Sequence, residues 1–221
     1  MKKILLITAW LAASHGALAF DLAVAPRVGT QGIGVDLVTG VNDRLNLRLG
    51  GYRYSYEKDL DTDDAVFGGD LQQKSAGLMA DIHPFAGHFR ITVGGFYNGN
   101  RLDVVAKPNA AGNFVFNGNT YDADDFQGSG QLTFKKFAPY VGFGGGNAIR
   151  GGNWSFMWDV GALYQNKGTV KLNAEILNPL VTPAMQAQFQ QDVLAEQQNL
   201  QDDVNDFKWY PVVSLGIAYR F

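Results

Sequence analysis

The sequence contains no cysteine, which excludes both disulfide staples and thiolate metal sites. Only three histidines are present, so general bases and imidazole ligands are scarce. Charged residues make up 18% of the chain, below the ~25% usual for soluble domains. The formal net charge of −3 provides no strong field for nucleic acid or an anionic surface. Beyond the N-terminal segment, no run approaches the ~20 consecutive apolar residues that a membrane-spanning helix needs. A membrane β-barrel remains open, because its strands alternate apolar and polar positions and carry no such run.

What is abundant is glycine, at 27 residues, and aromatic side chains, at 13%. The opening MKKILLITAWLAASHGALAF has two lysines, an apolar run from Ile4 to Ala13 and the small-residue site Ala17-Leu18-Ala19. It is predicted to be a secretory signal peptide, residues 1–19, leaving 20–221 as one domain.

Period-two segments follow near 21–30, 33–41, 44–57, 74–85, 89–106, 131–148, 153–173 and 207–221. Past the first connection, tight turns at Asn42-Asp43, Ala86-Gly87-His88 and 149–152 alternate with long polar segments near 58–73, 107–130 and 174–206. The predicted fold is all-β: an eight-stranded antiparallel transmembrane barrel with short periplasmic turns, long extracellular loops and a helix in the last loop.

Each strand has one apolar face. Trp209, Pro211, Val213, Leu215, Ile217, Tyr219 and Phe221 form a row with aromatics at both ends, opposite Ser214, Gly216, Ala218 and Arg220. Trp154, Phe156, Trp158 and Val160 oppose Ser155, Asp159 and Gly161 in the same way. Such rows suit lipid outside and small or polar residues inside; a soluble lipocalin-like barrel would invert them. In the third strand, a bulge at Gly50-Gly51 would turn Tyr52, Tyr54 and Tyr56 outward.

The inward ionisable residues are Arg27, Asp36, Arg48, Asp81, Arg90, Asp159 and Arg220, with His83 near the periplasmic rim. Opposite charges in so narrow a lumen should pair, as a structural plug or as a path for small charged solutes. Asp59, Asp61, Asp63, Asp64 and Asp70 form an acidic extracellular loop. Their spacing approaches a calcium loop, but Asp64 stands where the tight turn requires glycine, so no metal site is expected. Asn117-Gly118 marks a short hairpin outside the membrane. Thr182 as N-cap and Pro183 at the first helical position start a polar helix over 183–204, expected to cap the barrel. No catalytic residues are assigned: His15 falls in the signal peptide, while His83 and His88 lie at a periplasmic turn, far from any outer-rim nucleophile.

The stretches RVGTQGIGVDL, LMADIHPF, FAPYVGFGGG, WSFMWDVGALYQNKGTVKL and FKWYPVVSLGIAYRF are similar to those of CarO-type outer-membrane proteins, the carbapenem-associated family linked to ornithine uptake. The resemblance implies an eight-strand barrel in the Gram-negative outer membrane, with basic amino acids as solutes and no obvious open pore. Asp81 and Asp159 lie in segments similar to acidic-bearing family segments, whereas Arg27 stands where an acidic residue would be expected. Phe221, Tyr219 and Ile217 also resemble the terminal signal read by the barrel-assembly machinery.

The sequence therefore leads to a monomeric, non-enzymatic outer-membrane barrel without a cofactor. Its expected partners are membrane lipid, the assembly machinery and small cationic solutes, with no nucleic acid. Limited uptake of small polar or cationic solutes is the leading function, and a closed structural or adhesive barrel the alternative.

Overall fold

The computed structural model describes residues 21–61, 66–109 and 111–221. The predicted signal peptide, Asp63 and Asp64 lie outside them. The strands are β1 (Leu22–Gly29), β2 (Gly32–Asn42), β3 (Leu45–Asp61), β4 (Val66–Ile82), β5 (Arg90–Asn98), β6 (Arg101–Lys107), β7 (Asn113–Phe116), β8 (Asn119–Asp122), β9 (Phe126–Thr133), β10 (Phe137–Gly145), β11 (Trp154–Tyr164), β12 (Thr169–Ile176) and β13 (Trp209–Arg220). One helix, α1, spans Pro183–Val204.

Antiparallel pairings run from β1 through β2, β3, β4, β5, β10, β11 and β13, which pairs back onto β1. The sheet is thus a closed barrel. Closure removes its unpaired edges, a requirement for any sheet surrounded by lipid.

The described residues contain thirteen strands rather than the expected eight. Three predicted strands each break in two: 89–106 between β5 and β6, 131–148 between β9 and β10, and 153–173 between β11 and β12. The cause is visible at one rim. There β4 changes partner, pairing with β5 up to Ser75↔Asn98 and with β6 from Gln72↔Arg101. The turn between β5 and β6 is stabilised by the Asn98 side chain accepting from the Asn100 amide at 3.0 Å. At the matching break after β11, Asn166 adopts a positive φ of 61°.

Beyond this rim the sheet continues as β3–β4–β6–β9–β12, standing outside the barrel wall. The segment 58–73, expected to be a polar loop, is mostly an extension of the β3–β4 hairpin, paired as far as Asp61↔Val66. Asp59, Asp61 and Asp70 are therefore strand residues.

On the barrel's outer surface, Ile33 is 70% exposed and Leu78 61%, with Val35, Leu49, Val141, Leu215 and Ile217 also exposed. Arg27, Asp36, Arg48, Asp81, Arg90 and Asp159 are instead buried inside. This is the reverse of a water-soluble barrel. Gly50 and Gly51 keep regular register with Asp36 and Val35, so there is no bulge there. Tyr52 consequently stays on the inner face, a correction to the outward position expected for it. Tyr54 and Tyr56 share its face but lie past the rim, where they are exposed and stack at 6.3 Å.

Candidate functional site

The lumen is filled in three layers. Nearest the chain's N-terminal end, Ala23, Ala25, Val38, Ala148, Ile149, Met157 and Ala218 form an apolar cluster. At the opposite end, Tyr52, Met79, Phe96, Ala138, Tyr140, Leu163 and Val212 form another, with Phe96 edge-on to Tyr140 at 5.7 Å. Between them lies a layer of charge.

That middle layer brings together six of the seven sequence-predicted lumen residues: Arg27, Arg48, Arg90, Asp36, Asp81 and Asp159. Arg48 is its hub. Its guanidinium donates to Asp36 at 3.2 Å, to Asp81 at 3.0 Å and to both oxygens of Asp159 at 3.2 Å. Arg27 donates to Asp159 and, at 2.7 Å, to Ser214. Arg90 donates to Asp159 at 2.9 Å and to the Gly145 carbonyl at 2.8 Å. Three guanidinium groups thus face three carboxylates, all nearly inaccessible, and the layer is neutral as a whole. Neutrality matters because an isolated charge removed from water is strongly unfavourable, whereas a mutually paired set is tolerated.

Alternation along the strands positions these groups: Arg27, Asp36 and Arg48 occupy inward positions of β1, β2 and β3, each offset by two residues in register from the next. Glycines make the space. A Cβ at Gly50 would lie 2.5 Å from Asp36 Oδ1, and one at Gly216 would lie 2.4 Å from Arg27 Cδ. Two neutral side chains, besides Ser214, also take part. Tyr52 donates to Asp36, and Thr92 donates to Asp81 at 2.7 Å. Thr92 faces inward by parity with Arg90, so its position was available as a signal; Tyr52 was hidden by the expected bulge.

The seventh residue, Arg220, is not part of this layer. It binds the carbonyls of Ile149 and Gly151 at the rim. His83 lies near the same end, its Nε2 3.2 Å from the Asn46 amide and its Nδ1 2.9 Å from the Gly87 carbonyl. Phe221 and Ile217 are exposed on the outer surface, and Tyr219 packs on Trp154 at 4.8 Å. Among the described residues, no group of His, Asp and Glu has the arrangement of a metal site.

The part beyond the rim has a core of its own. Phe114, Phe116, Tyr121 and Phe126 surround Phe189 of α1, with ring centroids 4.5 to 6.4 Å from it. Helix α1 starts as the sequence predicts, with Thr182 Oγ1 accepting from the Met185 amide at 3.4 Å. The β7–β8 hairpin turns at Asn117 and Gly118, both at positive φ as a tight hairpin turn demands. It is tied to α1 through buried Asp192, which accepts from Asn117 at 3.1 Å, Asn119 at 2.7 Å and the Tyr121 hydroxyl. These donors, Tyr121 foremost, hold the Asp192 carboxyl down at about 2. Burial and the same contact push the Tyr121 hydroxyl up.

Helix α1 also covers the free edge of β12. Gln201 and Gln197, one helical turn apart, accept from the amides of Val170 at 3.0 Å and Leu172 at 2.9 Å. An edge strand left bare would expose just such groups to another chain. Strand partners place this docking face in continuity with the barrel interior: Tyr56↔Leu71↔Leu102↔Leu132↔Val170 share the side on which Tyr52 points.

No protein-family model and no curated protein matches this chain. Among solved structures, the chain is similar to CarO of Acinetobacter baumannii at 26% identity and a TM-score of 0.59, covering 91% of this chain and 98% of that one. It also shares its fold with Acinetobacter baumannii CarO2, at 23% identity, a TM-score of 0.58 and the same coverage. With a closed antiparallel sheet, an apolar exterior and this likeness over nine-tenths of its length, the chain is a β-barrel protein of the Gram-negative outer membrane that is similar to CarO of Acinetobacter baumannii.

Proposed function

We propose that the protein is a closed barrel whose circuit of eight strands crosses the outer membrane and anchors the extracellular sheet-and-helix unit. The supporting observation is the filling of the lumen: an ion layer with Arg48 2% and Arg90 0% exposed lies between two apolar plugs. A small barrel of this kind leaves little more than room for its own side chains. In this reading the lumen provides stability, and contacts with partners fall to the extracellular unit. Outward Phe221, Tyr219 and Ile217 would serve the assembly machinery before they meet lipid.

A second reading, limited uptake of basic amino acids, is favoured by one feature of the same layer. Arg27 Nε and Nη1, Arg48 Nε, Arg90 Nε and Asp81 Oδ2 have no hydrogen-bond partner. Such groups would match the carboxylate and the amine of an amino acid, once the apolar layers opened.

Liposome swelling with purified protein separates the two. The closed barrel predicts no swelling above protein-free vesicles with ornithine, arginine, glutamate or a sugar. Selective entry of ornithine and arginine, abolished in Asp81→Asn, would replace it with the uptake reading.

A further inference from the structure

Between the second half of α1, the β7 strand and the extracellular sheet lies a cavity of about 340 Å³. By the ~30 Å³ share of a water molecule, it has room for roughly a dozen non-hydrogen atoms. Its walls are almost entirely apolar, including Val104, Phe116, Leu172 and Leu200. The aromatic core described above fills the neighbouring space around Phe189 and stops short of it. Leu200 remains 36% exposed as a result.

Among the described residues, the polar side chains lining this cavity are Glu196 and Ser129, with no lysine or arginine beside them. Glu196 is half-buried on α1 and makes no hydrogen bond or ion pair among the described residues. A half-buried carboxylate beside an apolar wall is poorly hydrated, and a cationic group brought against it forms a charge-assisted hydrogen bond. An apolar pocket with a few placed polar groups is the usual form of a small-molecule site.

We propose that this cavity is a binding site for a small apolar amine. The hydrocarbon body lies against Val104, Phe116, Leu172 and Leu200, and the ammonium group pairs with Glu196. An anionic or zwitterionic compound would bring a carboxylate to the same acidic mouth and be rejected. The site goes beyond the function proposed above and is independent of it, since it lies outside the lumen and exists whether or not the barrel conducts.

The test uses the full chain in lipid nanodiscs, with phenethylamine as probe and the neutral isostere phenethyl alcohol as control, followed by NMR titration. Partition into lipid is cancelled by comparing variants at equal lipid content. Saturable binding of the amine is expected with a dissociation constant below about 1 mM. A preference over the alcohol of about tenfold is expected from the charged contact. Glu196→Gln, a change on a half-exposed helix position, should remove that preference and leave the alcohol's affinity unchanged. Leu200→Trp should fill the space and weaken both compounds. Equal binding of amine and alcohol by the wild type, a preference that survives in Glu196→Gln, unchanged affinity in Leu200→Trp, or no saturable binding would each overturn the proposal.

Discussion

Two regions of this molecule bury carboxylates, and they do so by opposite means. In the lumen, Asp36, Asp81 and Asp159 are matched by three guanidinium groups and the layer is neutral. In the sheet-and-helix unit beyond the rim, Asp192 is held by a tyrosine hydroxyl and amide groups, with no cation among the described residues. The surroundings account for the difference. A layer enclosed by apolar plugs and lipid has no water to stabilise a residual charge, so opposite charges must balance within it. A domain standing in water tolerates one net charge when several donors converge on it.

The largest expected effect comes from removing the hub of the lumen layer. Arg48→Ala leaves three carboxylates short of a partner and should cost about 3–5 kcal/mol. The temperature at which the barrel loses its compact gel mobility would report it; a shift no greater than that of a surface variant would show that the layer contributes little.

Next comes the carboxylate beyond the rim. Asp192→Ala strands the hydroxyl of Tyr121 and two asparagine amides, a local loss of about 2 kcal/mol. Protease cleavage or amide exchange confined to 113–122 should rise while the barrel stays intact. The pH dependence has a definite sign. The folded state holds this carboxyl at about 2, below its usual 3.8, and so favours the ionised form. The stabilisation is complete above the usual value and is lost as pH falls from about 4 through about 2. Hairpin release on acidification above pH 5 would contradict this.

A smaller effect is expected at the edge of β12. Gln197→Ala or Gln201→Ala should speed amide exchange at Leu172 or Val170 respectively, with about 1 kcal/mol at stake in each. Smallest is Arg220→Ala, predicted from sequence to disturb the lumen network. Its guanidinium binds rim carbonyls instead, so a loss below about 1 kcal/mol is expected. A loss comparable to that of Arg48→Ala would put it back in the network.

The legible parts of this protein were those governed by short-range periodicity. Alternation placed Arg27, Asp36, Arg48, Asp81, Arg90 and Asp159 on one face, and the structure brings them together. Their individual partners were not legible, because the ion pair between Arg27 and Asp159 joins residues 132 positions apart. The inward Tyr52 was missed because paired glycines carry two readings, a bulge or room for a neighbour, and only the register with β2 and β4 decides between them. The aromatic fill of the lumen was missed for a related reason: Phe96 and Tyr140 face inward by parity, yet aromatic residues weigh toward lipid in a reading by composition.

By itself, the sequence determined the membrane-facing alternation, the bounds of α1 and the Asn117-Gly118 turn. Each depends on the dihedral preferences or side-chain period of a few neighbouring residues. Only the tertiary structure decided that three strands break at one rim, that the sheet continues outside the barrel, and that a helix closes its edge. Those outcomes depend on which strand β4 pairs with above Ser75, a choice between β5 and β6 that rests on packing across the whole domain.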